Sequence, residues 1–85
     1  MIQTPMIHLN GSAAEDLLRT YVEAVTAVRS AIYALHQTAP NQRDYYPLPP
    51  QAFVDAVAQH SERVRKREEV RGSLEYLAEY CSDHV

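Results

Sequence analysis

Cysteine is nearly absent. Cys81 is the chain's single one, so no disulfide can form within it and the fold must be held by packing or by association. Glycine is scarce too: Gly11 and Gly72 are the only two, which leaves no phosphate-cradling glycine loop, and neither HExxH nor CxxC occurs. No apolar stretch approaches the roughly 18 residues of a membrane span, and residues 1–10 carry no charged-then-apolar leader. A basic excess is also missing. The formal net charge of -3 argues against general DNA binding and against attachment to a membrane by a basic patch. A cytoplasmic location is the expectation.

What remains is enough to fold. Hydrophobic residues make up 46% and charged residues 22% of the 85, too apolar a mixture for a disordered tail and enough for one small domain. A chain of this length buries only about 60 to 65% of its unfolded surface, so self-association is the expected way to complete the core. The fold class that follows is all-α: an antiparallel helical hairpin with an extended N-terminal arm, oligomerising into a helical bundle.

Residues 1–11 alternate imperfectly between apolar and polar, and Pro5 prevents a helix. This arm either closes over its own helices or straps a neighbouring subunit. Ser12 and Glu15 have capping-box spacing, with Asp16 adding charge to the first turn, and predict helix 1 over 13–39. Leu18, Tyr21, Val25, Val28, Ile32 and Leu35 form a heptad seam. A second seam of small residues, Leu17, Thr20, Ala24, Ala27, Ala31 and Ala34, runs beside it and would let another helix come close. The face with Arg19, Glu23, Thr26, Arg29 and Ser30 reads as solvated. Pro40 stops the helix, and a Pro/Tyr loop follows over 40–49. Helix 2 is expected over 50–82, with Pro50 at its first position; Gly72–Ser73 could break it, and one long helix, with or without a bend there, is the favoured reading. Its buried side is marked by Phe53, Val57, Val64, Leu74 and Ala78, flanked by Val70 and Leu77.

Two constellations could carry chemistry. RVRKREEVR, residues 63–71, puts Arg63, Arg67 and Arg71 in one column that His60 extends. Like charges at that spacing repel, so something anionic should offset them. A hairpin closing around residues 39 to 50 would set Glu15 and Asp16 against Arg71 and Glu23 against Arg65. Glu62 to Lys66 and Arg65 to Glu69 would add pairs along helix 2. The alternative is a bound phosphate or carboxylate, which the planar guanidinium fork suits, with Tyr21 opposite Arg67 to hold a base or ribose. The loop supplies Asn41, Arg43, Asp44, Tyr45 and Tyr46, amide, charge and two stackable rings stiffened by prolines. They either cap the open end of the bundle or form a ligand or partner surface.

Catalysis finds little support. Cys81 with His84 is the one nucleophile and base within reach in sequence, and it reads better as a core residue. The four histidines lack metal-ligand spacing. No enzyme activity, catalytic residue, metal or cofactor is expected.

HLNGSAAEDLL (8–18) and APNQRDYYP (39–47) resemble a group of small helical proteins encoded in phage and prophage genomes. Their pattern runs HLNG-(S/T)-x-x-x-x-LL at the first helix and APNGRDYY at the turn. This chain departs from it at Gln42, where glycine is usual. The resemblance implies a phage origin and a bacterial host cytoplasm. By analogy of genome and size it implies antagonism of bacterial defence, as by anti-CRISPR proteins or sponges for cyclic nucleotide signals. The combined expectation is a non-enzymatic homo-oligomer that sequesters a small anionic, nucleotide-type ligand through Arg63, Arg67, Arg71, Tyr21, Arg43, Tyr45, Tyr46 and Asn41. The alternatives are a module that inhibits a host protein and a structural phage component. DNA ranks last among the partners, and no membrane is expected.

Overall fold

The computed structural model describes residues 1–7 and 11–85. It is an all-α hairpin: α1 (Gly11–His36), a single 3-10 turn (Gln42–Tyr45), and α2 (Pro50–Ser82), with α1 packed along α2. No helix among the described residues is long and apolar enough to cross a membrane. Residues 1–7 have no regular structure; Ile2, Thr4, Pro5 and Ile7 are half-buried, while Met1 and Met6 face solvent. The capping-box side chain of Ser12 and the HLN part of the phage-like motif lie outside the described residues.

Helix α1 ends at His36, three residues before the expected stop at 39. The cause is local. Pro40 forces Ala39 out of helical geometry, the N–H groups of Gln37, Thr38 and Ala39 bond back only three residues, and the Thr38 hydroxyl donates to the Leu35 carbonyl. Helix α2 starts with Pro50 at its first position, where a missing N–H costs nothing. It runs unbroken through Gly72, whose position is open to solvent with nothing near a would-be Cβ.

The inner seam of α1 faces α2 as the heptad spacing predicts: Ile32 is buried, and Leu18, Tyr21, Val25, Val28 and Leu35 are half-buried. Of the second seam, Thr20, Ala27, Ala31 and Ala34 are exposed. On α2, Phe53, Val64, Leu74, Leu77 and Ala78 are half-buried, whereas Val57 and Val70, expected inside, are exposed. Two helices cannot enclose much. Among the described residues the buried apolar set is Ala14, Ile32 and Cys81, joined by His60, and the molecule measures 62 × 23 × 11 Å, one helix thick.

The register differs from the expected one by at least two helical turns. The ring of His36, the last residue of α1, meets that of His60 edge-on at 6.4 Å, and Arg29 reaches Glu75. The loop explains the shift. It folds back over the first turns of α2, where Tyr45 lies on Phe53 with ring centroids 5.9 Å apart. Those turns of α2 are therefore taken by the loop, and α1 begins to pack three turns in, at His60.

Candidate functional site

The shifted register dismantles the expected ladder of ion pairs between helices. Asp16 pairs with Arg19 on its own helix at 2.8 Å, and neither Glu15 nor Asp16 meets Arg71. Arg71 is held instead between Glu68 and Glu75, one turn before and after it on α2. Arg65 does not meet Glu23: it grips Glu62 with two nitrogens and also bonds Glu69. The Arg65–Glu69 pair forms as the spacing suggests, but Glu62 turns to Arg65 rather than to Lys66. Among the described residues a single ion pair joins the helices, Arg29 to Glu75 at 2.9 Å. Arg29 makes this bond from the solvated face, which is exposed throughout as its sequence suggests.

These contacts set the local electrostatics. Hydrogen bonds from Arg71, then from Arg29, hold the Glu75 carboxyl below the usual carboxylate range. The bond from Arg65 does the same for Glu62. In return Arg71, bonded by Glu68 and Glu75, is raised above its ordinary range, and so is Arg65, chiefly by Glu62.

Three cations of the basic segment are left over. Arg63, Lys66 and Arg67 are exposed and make no ion pair or side-chain hydrogen bond among the described residues. At i, i+3 and i+4 they share one stretch of helix surface, within about a turn of each other. Of the expected anion-binding column, then, Arg63 and Arg67 remain available and Arg71 is committed to carboxylates. His60 does not extend that column. It is buried beside α1 with its Nδ1 lacking any partner. Tyr21 is not opposite Arg67 either: Arg29, two turns nearer the loop on α1, already reaches Glu75, so Tyr21 lies toward the end of α2.

The loop constellation has a division of labour. The Asn41 side-chain oxygen accepts from the Arg43 N–H at 2.9 Å and caps the 3-10 turn, so this residue builds the loop. Tyr45 is half-buried on Phe53, while Tyr46, Arg43 and Asp44 are exposed. Gln42 sits inside the turn, and no described residue has a positive φ, so the usual glycine of the motif is not needed for its backbone here. Tyr45, Tyr46, Leu48, Pro50, Phe53 and Val54 line an open groove of about 390 Å³. Arg67 stands 14 residues beyond Phe53 on the same helix, about 21 Å at 1.5 Å per residue, so the loop and the free arginines do not converge within one hairpin.

Elsewhere, Cys81 is a fully buried free thiol in the last turn. The His84 Nδ1 donates to the Tyr80 carbonyl, and its ring lies on that of Tyr80 with centroids 4.4 Å apart. No group of three or more His, Cys, Asp or Glu among the described residues could hold a metal ion.

The groove and the Arg29–Glu75 bridge are the features that sequence reasoning missed. The groove's signal was present in Leu48, Phe53 and Val54 beside two tyrosines, an apolar cluster astride the loop. None of the known protein families, curated proteins or solved structures compared with the chain matches it.

Proposed function

We propose that the protein is a non-enzymatic binding protein of phage type that sequesters a small anionic, nucleotide-type ligand in a homo-oligomer, as an antagonist of bacterial defence. The observation that carries this reading is the unequal treatment of neighbouring cations on α2. Arg65 and Arg71 are each clamped by two carboxylates, while Arg63, Lys66 and Arg67 form no ion pair among the described residues, Lys66 acting on Glu62 only at longer range. Unpaired like charges so close together repel, and a bound phosphate relieves that repulsion with charge-assisted, bidentate hydrogen bonds. The aromatic groove at the loop supplies stackable rings for a base. Because it lies about 21 Å from Arg67 along α2, a ligand touching both would have to bridge two subunits.

The test is thermal melting of the purified chain with a panel of cyclic di- and trinucleotides and cyclic ADP-ribose isomers, followed by recovery of the nucleotide. At 100 times its dissociation constant a ligand adds about 2.7 kcal/mol, several degrees for so small a domain. A shift with an intact recovered ligand, abolished in Arg67→Ala, supports sequestration. An altered nucleotide makes the protein an enzyme, and no shift with any member overturns the nucleotide reading.

A second reading, inhibition of a host protein through an exposed surface, draws on the apolar side chains that the hairpin leaves uncovered: Tyr33, Tyr46, Leu48, Val54 and Val57. Loss of a specific bacterial partner on Tyr46→Ala would favour it.

A further inference from the structure

The hairpin is a plank with two unlike broad faces. The Arg29–Glu75 bridge crosses one of them, and Val22 and Thr26 border the same inter-helix groove. At 100° per residue, Tyr33 projects from the Arg29 flank of α1, and Val57 and Val54 from the Glu75 flank of α2. Four large apolar side chains are therefore exposed on this face: Val22, Tyr33 (71% exposed), Val54 and Val57. The opposite face carries the alanine seam of α1, with Arg63 and Lys66 on the corresponding flank of α2.

We propose that the Arg29 face is the surface through which two copies of this chain associate, closing two planks into a four-helix bundle. Three observations select a second copy. The plank is one helix thick, with three buried apolar residues among those described, whereas stable domains pack two layers around a core. Charges at the centre of this face are already matched: Arg29, Arg71, Glu68 and Glu75 form one closed network, and the exposed Glu15 and Glu79 lie at the end of the plank away from the loop, so a self-complementary contact need not bury an unpaired ion at its middle. The face is also large enough, since a plank 62 by 23 Å exceeds the roughly 800 Å² per partner of a standard interface. The other face exposes one large apolar side chain, Val70, beside the cations Arg63 and Lys66, so it has less apolar surface to bury and more charge to desolvate.

This inference rests on the self-association in the proposed function and not on its ligand. The dimer leaves Arg63 and Lys66 facing outward, so contact of a phosphate with these two cations is separable from dimerisation, whereas Val54 is shared between the face and the loop groove.

The experiment is light scattering after gel filtration of the full chain, with helicity followed by circular dichroism. Wild type is expected at twice 9.7 kDa, and Tyr33→Glu and Val57→Glu at the single mass with helicity retained. Arg67→Ala and Ala31→Glu are expected to stay dimeric. A monomeric wild type, a dimer indifferent to both face substitutions, or one dissociated by Ala31→Glu overturns the proposal. Should the glutamate variants unfold, nitration of wild-type tyrosines at rising protein concentration decides. Tyr33 loses reactivity relative to Tyr76 if the face is covered, and unchanged Tyr33 reactivity overturns the proposal. A dimer that binds no nucleotide would sink the ligand reading and leave this one standing.

Discussion

Arg29 and Glu75 are held 2.9 Å apart across the two helices, and the same Glu75 oxygen accepts from Arg71 at 2.7 Å. One carboxylate thus answers two guanidinium groups, one from each helix. Glu75→Gln is expected to lower the melting temperature more than Arg29→Ala does, because it strands Arg71 as well as Arg29. Equal shifts for the two variants would show that the bond to α1 is the only one that matters.

The lowered Glu75 and Glu62 carboxyls fix the direction of pH dependence. A carboxyl whose folded pKa lies below its unfolded value of about 4.3 contributes stability that is fully present above that value. It is lost as pH falls through the folded value. Melting temperature should therefore be insensitive to these groups near neutrality and fall below about pH 4.3, with a shallower fall in Glu75→Gln. A steeper acid limb in that variant would contradict the assignment.

His60 is buried with an unpartnered Nδ1. Leaving a buried polar atom unsatisfied costs about 1–3 kcal/mol, and leucine approximates the volume. His60→Leu is expected to stabilise the hairpin by about 1 kcal/mol in urea unfolding. Destabilisation would mean that the ring makes a polar contact in solution.

Gly72 occupies the interior of α2 with open space around its Cβ position. Gly72→Ala should add about 0.5–1 kcal/mol, since alanine loses less backbone entropy in a helix. No gain would indicate that α2 bends or opens there. Ile32→Ala acts in the opposite sense: in so thin a core, removing a buried isoleucine is expected to cost about 2–4 kcal/mol and to abolish a cooperative melt.

The helices were legible because periodicity and proline are local signals. The seam from Leu18 to Leu35 names the buried face of α1, and Pro50 names the start of α2. Register was not legible, because it depends on Tyr45 folding back onto Phe53, a contact that no spacing rule encodes. That error carried Tyr21 to Arg67 and Glu15 to Arg71. Arg29 was missed for another reason: helical phase describes where a Cβ points, and a guanidinium several bonds farther out can bend back to the next helix. Within the basic column, spacing identified the arginines but could not tell those clamped by carboxylates from those left free.

If Arg63 and Arg67 hold an anion, equilibrium dialysis of labelled cyclic dinucleotide will separate wild type from Arg67→Ala and Arg71→Ala. Saturable binding is expected for wild type, none for Arg67→Ala, and retained binding for Arg71→Ala, whose guanidinium already serves Glu68 and Glu75. Equal binding by wild type and Arg67→Ala, or its loss in Arg71→Ala alone, would contradict it.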